Sequence, residues 1–153
     1  MMKKSRLLIL LFVFCLICTS TFSQNKAGII AQTIDYKTGN PADWPNDQDA
    51  VIAAPKNHKV LLENENVRVL QVSLKPGEVE PLHHHRWHSV LYIQSAGDFI
   101  DRDGKGNVIF DTRQLKTPLK FPMTMWKDAE APHSVENLSK TITLRLIRVE
   151  MKK

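Results

Sequence analysis

The sequence predicts an all-β sandwich or barrel, and three observations predict it. Beyond Pro55, short runs rich in Val, Ile and Leu alternate apolar with polar residues, the pattern of half-buried strands. Gly, Pro, Asn and Asp clusters interrupt these runs about every 8–12 residues, as in sandwiches and small barrels. No segment sustains a helical apolar period over the ~11 residues needed to argue for a helix.

The chain opens with Lys3, Lys4 and Arg6, then the twelve-residue apolar run Leu7–Cys18, then Thr21-Phe22-Ser23 with small residues at a cleavage position. This is the pattern of a secretory signal, with cleavage expected after Ser23. Twelve apolar residues fall short of the ~20 that span a bilayer, so no stable membrane span is expected after its removal. Lipid attachment at Cys18 fits less well, because Cys15-Leu16-Ile17 lacks the small residue expected beside a modified cysteine. The expected localisation is secreted or periplasmic. Removing the signal lowers the formal charge from +5 to +2 and takes away both cysteines. What remains has no basic run, which argues against nucleic-acid partners, and no disulfide to hold the fold.

Residues 24–57 are polar and turn-rich, with Asn40-Pro41, Trp44-Pro45 and Pro55 breaking any period. They read as an arm on the domain, with short pieces of strand and Trp44 as an anchor. The domain proper is expected over 58–153. Val60-Leu62 and Val67–Leu74 flank a hairpin turn at Glu63–Asn66. Val67 and Val69 fall on one face and Leu70, Val72 and Leu74 on the other, which a bulge near Val69-Leu70 would reconcile. Pro76-Gly77 turns the chain into the histidine-rich stretch, and Ser89–Ile93 is the next strong strand. Phe99-Ile100 and Val108–Phe110 flank an Asp103–Asn107 hairpin loop, with Asp101-Arg102-Asp103 expected to be exposed. Thr112–Pro122 is a connector and Met123–Trp126 a strand. Lys127–Pro132 reads as a loop and His133–Asn137 as a strand. In the last strand, Thr141–Met151, Ile142, Leu144 and Leu146 alternate with Thr143 and Arg145 until the phase shifts at Ile147.

Four of the six histidines lie between His83 and His88. On a strand, His83 and His85 point to one side and His84 to the other. Two imidazoles on one face are half of a metal site, and His133 is the natural third ligand. Read alone, His83-His84-His85-Arg86 also suits a solvated turn. His84 and His58 are expected at the surface.

These residues resemble the cupin superfamily. Its first motif is a glycine, five residues, H-x-H, three or four residues, a glutamate, six residues and a glycine, and Gly77, His83, His85 and Gly97 match. The second ends in a histidine, three residues and an asparagine, matched by His133 and Asn137. The resemblance covers roughly residues 60–150 and implies a single jelly-roll β-barrel, a double-stranded β-helix, with the irregular N-terminal arm outside it. It implies a divalent transition metal (Fe, Zn, Ni or Cu) held by His83, His85 and His133, beside a pocket for a small-molecule ligand. It allows a homodimer paired through sheet edges. The motif's glutamate falls at position 90, where this chain has Val90. His88 is placed to supply a fourth ligand or to sit at the pocket mouth; Tyr92, assigned to the ligand face, and Asn137 are further pocket candidates. Glu78 and Glu80 precede the histidines, off the motif spacing. The implied function is oxygenase- or isomerase-type chemistry on a small organic molecule. The alternative is a non-catalytic binding or structural cupin that has lost the motif glutamate.

Overall fold

Alternation along nine strands builds two antiparallel sheets in the computed structural model, which describes residues 39–153. The expected signal segment and residues 24–38 of the arm lie outside the described residues. The strands are β1 (His58–Glu63), β2 (Val67–Leu74), β3 (His83–His85), β4 (Ser89–Ser95), β5 (Phe99–Asp103), β6 (Val108–Asp111), β7 (Met123–Lys127), β8 (Glu130–Asn137) and β9 (Leu144–Met151). One sheet runs β1-β2-β9-β4-β7 and the other β3-β8-β5-β6. Glu130–Pro132, expected as loop, is the start of β8.

The four-stranded sheet carries His83, His85 and His133, and His58 comes from the five-stranded sheet. Its registers align inward residues into rows: Arg68, Glu150, Ser89 and Lys127; then Leu70, Arg148, Leu91 and Met125; then His58, Val72, Leu146, Ile93 and Met123. The first row is polar, the second mixed, and the third apolar except for His58. Leu70, Val72, Leu74 and Leu144 form a buried cluster, with Phe99, Val135 and Leu146 packed against it. Burying such side chains contributes about 1.5–3 kcal/mol each.

Two sequence expectations change here. The β2–β9 ladder runs without interruption from Val67 opposite Met151 to Leu74 opposite Leu144, so β2 has no bulge. The register shift lies in β1, between Val60 and Leu62. Arg68 shares the inward face with Leu70, Val72 and Leu74. In β9 the inward parity likewise continues past Ile147 into Arg148 and Glu150, and no phase shift occurs.

The described part of the arm lies on the domain, without the expected strand pieces. It folds as two 3-10 turns, Pro41–Asp43 and Asn46–Gln48, and the short helix α1 (Ala50–Ala53). Asp49 caps α1 by accepting from the Val51 amide, and the same carboxylate accepts two bonds from buried Arg68. Trp44 is buried and tilts against the His84 ring. Among the described residues, no helix is long and apolar enough to cross a membrane.

Pro76-Gly77 closes a turn in which the Glu78 amide donates to the Lys75 carbonyl at 3.0 Å. Gly77 has φ +73°, as the third position of a type II turn requires. This turn and the bridge from Val79 to Glu136 lead the chain into β3 beside β8, where His83 pairs with His133.

Candidate metal centre

His83 and His85 reach the interior because β3 alternates, and His133 because it is the direct cross-strand partner of His83. The fourth imidazole is His58, the first residue of β1, expected at the surface but buried. Its ring lies 4.5 Å from that of His83 and 5.2 Å from that of His85; the His83 and His133 rings are 4.6 Å apart.

Each of these four rings is held through Nδ1 by an oxygen outside the cluster. His58 bonds to the Ala54 carbonyl at 3.2 Å, His83 to Pro81 at 2.8 Å and His133 to Ala131 at 2.9 Å. His85 bonds to the Glu150 carboxylate at 2.6 Å. A carbonyl only accepts, so the proton of these rings sits on Nδ1 and the Nε2 lone pair is left as the ligand atom. His84 is the opposite tautomer: Nε2 donates to the Pro45 carbonyl at 2.8 Å, fastening the arm. It is fully buried, not at the surface as expected.

Glu80 supplies a carboxylate to the cluster. Its Oε1 is 3.8 Å from His83 Nε2 and its Oε2 4.0 Å from His58 Nε2. Oε2 is buried without a hydrogen-bond partner. The donor atoms fall into three overlapping triads: His58, His83 and His85; Glu80, His83 and His133; and Asp101, Glu130 and His133. The structure thus brings His83 together with both His85 and His133, whereas the His85 and His133 donor atoms belong to different triads.

Burial sets the protonation of these groups. It lowers the His58 pKa from 6.5 to about 3, against the lift from its bond to Ala54, with Arg148 adding to the fall. Burial also holds His83 and His85 well below the ordinary histidine range, with the neighbouring His133 and Arg148, respectively, as the next cause. Neutral imidazole is the form that binds a metal. Burial, reinforced by Asp101, pushes the Glu80 carboxyl well above the carboxylate range. Glu130 is pushed up by burial as well, but Lys127 and Arg148 pull it strongly down, so it stays ionised. Lys127 pairs with it at 2.7 Å and Arg148 at 2.6 Å.

The cluster forms the polar end of a cavity of about 130 Å³ between the sheets. Asp101, Glu130, Lys127 and Arg148 line the same cavity, together with the apolar Leu91, Ile93, Phe99, Phe110, Met123 and Met125. The barrel is therefore not filled by apolar side chains. Asp101, expected in an exposed hairpin, is buried on β5.

The remaining sequence candidates lie elsewhere. His88 is exposed, bonds Asp128 at 3.2 Å and stacks on Trp126. Tyr92 is 43% exposed on the outer face of β4. The reason is parity: Ser89, Leu91 and Ile93 point inward, so the even-numbered residues of β4 point out. Val90 is one of these, 38% exposed, so its hydrocarbon says nothing about the carboxylates available inside. Asn137 is buried, but its amide donates to the Leu74, Lys75 and Ile142 carbonyls, making it a clamp between strand ends outside the cavity lining. Sequence reasoning missed His58, Asp101, Glu130, Arg148 and Glu150 and placed no ligand at Glu80. The usable signal was the parity of Arg148 and Glu150 with Leu144 and Leu146, and of Arg68 with Leu70.

Comparison with known proteins agrees with this architecture. Neither a protein-family model nor a curated protein matches the chain. Among solved structures it is similar to a cupin domain from Bordetella pertussis Tohama I, at 21% identity and a TM-score of 0.50, over 63% of this chain and 92% of that one. A cupin from Methanocaldococcus jannaschii with a double-stranded β-helix matches at 16% identity and 0.45, over 61% and 77%. One from Desulfovibrio desulfuricans matches at 14% and 0.40, over 74% and 95%. The chain has the cupin fold, with a buried histidine cluster and an adjacent glutamate able to hold a metal ion.

Proposed function

We propose that the protein is an exported small cupin that holds a divalent transition metal through His58, His83, His85, His133 and Glu80 and works on a small organic molecule in the adjoining cavity. One observation carries the metal assignment. Inside the protein, His83 Nε2 faces Glu80 Oε1 at 3.8 Å and His58 Nε2 faces Glu80 Oε2 at 4.0 Å, both beyond hydrogen-bond reach, and Oε2 has no hydrogen-bond partner. Burial leaves these groups without the hydrogen bonds that water would give them, and a divalent cation among them would satisfy them, displacing the Glu80 proton as it binds. Imidazoles with one carboxylate suit Fe, Zn, Ni or Cu better than Mg or Ca.

A divalent ion bound here supplies Lewis acidity. The chain's own residues orient the rings through Nδ1, keep His58, His83 and His85 neutral by burial, and close the site off from solvent between two sheets. Glu80, Asp101 and Glu130 also give the cavity acid and base groups, which supports chemistry of the oxygenase or isomerase type over a binding role alone. The basic, apolar and small-residue pattern of residues 1–23 supports export.

Metal analysis of the purified protein and of His85→Ala and His133→Ala variants tests the assignment. Near-stoichiometric metal in the wild type, lost in the variants, is expected; trace metal unchanged by both substitutions overturns it. Turnover or oxygen uptake across a panel of small acids, diketones and sugars tests the activity, and its absence in metal-loaded protein leaves a ligand-binding module. A mature N-terminus at Gln24 tests export.

A further inference from the structure

Arg148 lines the cavity next to the histidine cluster and is 4% exposed. Its Nη1 donates to Glu130 at 2.6 Å. The other side of the guanidinium is not engaged in the same way. Nε stands 3.5 Å from Glu150 Oε1 without the alignment of a hydrogen bond, and neither Nε nor Nη2 has a hydrogen-bond partner. Glu150 itself is committed to the His85 ring and to Arg68. Nε and Nη2 form one edge of the guanidinium fork, the edge that grips a carboxylate through two parallel bonds. Buried donors on a charged group are costly to leave unmade, and an acceptor brought to this edge would satisfy both.

The surroundings define the rest of the ligand. In the cross-strand row of Arg148, the next inward side chains are Leu91 and Met125, and the following row adds Ile93 and Met123. Phe99 and Phe110 close the same end from the opposite sheet. Methionines fill irregular space and adapt to an apolar occupant. The volume, about 130 Å³, is close to the ~150 Å³ of an engineered apolar cavity that takes up benzene.

We propose that the cavity takes a small monocarboxylate of benzoate or hexanoate size, its carboxylate on the Nε and Nη2 edge of Arg148 and its hydrocarbon against Phe99, Phe110, Met123 and Met125. This names the substrate class of the site described above and rests on the reading that the cavity is a small-molecule site beside a metal. A carboxylate seated there lies at the boundary between the histidine cluster and the apolar end. A second acidic group on the ligand would enter hydrocarbon surroundings.

The test is titration calorimetry of the purified protein, zinc-loaded and chelator-stripped, with benzoate, hexanoate, benzamide and hexanamide. At least one acid is expected to saturate, with its amide at least tenfold weaker. Arg148→Lys keeps a cation beside Glu130 but lacks the fork, and is expected to weaken the acid at least tenfold with zinc content unchanged. Amides binding as well as acids, unchanged affinity in Arg148→Lys, or no binding of either acid overturns the proposal. If Arg148→Lys does not fold, the acid-to-amide ratio on the wild type decides. Zinc content is read separately: zinc without acid binding overturns only this proposal, and acid binding through Arg148 without zinc overturns only the metal reading.

Discussion

Replacing His58 by Gln should flatten the acid dependence of the metal-free protein's stability by an amount that burial fixes. In the folded chain His58 is neutral, its pKa lowered from 6.5 to about 3 by burial first, against its bond to Ala54. A depressed histidine pKa means that the unfolded chain binds a proton which the folded chain refuses. The stabilisation is therefore complete above 6.5 and is lost as pH falls toward 3. At pH 5 the folded ring is still neutral, so the loss is set by the 1.5 units between 6.5 and 5, about 2 kcal/mol at 1.36 kcal/mol per unit. Urea denaturation of chelator-treated protein at pH 7.5 and pH 5.0 measures it. His83 and His85 add to the wild-type loss and the raised Glu80 and Glu150 carboxyls offset part of it, and against the same background His58→Gln should lose about 2 kcal/mol less than the wild type. Equal losses in both proteins would refute the reasoning, because a solvated His58 contributes no such slope.

Four further substitutions give different signatures. Glu150→Gln removes the carboxylate that fixes the His85 ring and should weaken zinc binding about 10–100-fold in competition with a chromophoric chelator; unchanged affinity would mean that His85 is oriented by something else. Trp44→Ala removes the buried ring that packs on His84 and should cost about 3–5 kcal/mol in urea denaturation, as for large-to-small changes in a core; a negligible loss would show that the arm is not integral to the domain. His88→Ala and Tyr92→Phe, both at exposed positions, should stay within about 0.5 kcal/mol of the wild type and keep its metal content; loss of metal from either would put it back in the site.

The fold was legible in the sequence because alternation and turn chemistry act locally. Pro76-Gly77 specifies its own turn, and Ser89–Ile93 declares a strand. His83, His85 and His133 were legible because a short repeat on one strand and a single histidine on another need only parity and rough topology. The rest of the site was hidden by a particular assumption, that a charged residue ends an inward face. Arg68 was explained away by a bulge and the continuation through Arg148 and Glu150 by a phase shift, whereas both strands run on regularly with charged side chains facing in. Those charges are tolerated because they meet one another: Arg68 with Asp49 and Glu150, Arg148 with Glu130. His58 and Asp101 needed the registers across two sheets, which strand patterns alone do not supply. Tyr92 and Val90 were misplaced by a single step of parity after β3.

The proposed metal site turns on four imidazoles, pinned through Nδ1, whose donor atoms meet in overlapping triads around His83. Histidine side-chain 15N spectra of the metal-free protein, followed through a zinc titration, test it most directly. The account predicts Nδ1-protonated tautomers for His58, His83, His85 and His133, the Nε2-protonated tautomer for His84, and saturable zinc shifts at Nε2 of the first four with His84 and His88 unmoved. Zinc shifts confined to His88, or no saturable shift at His83, would contradict it.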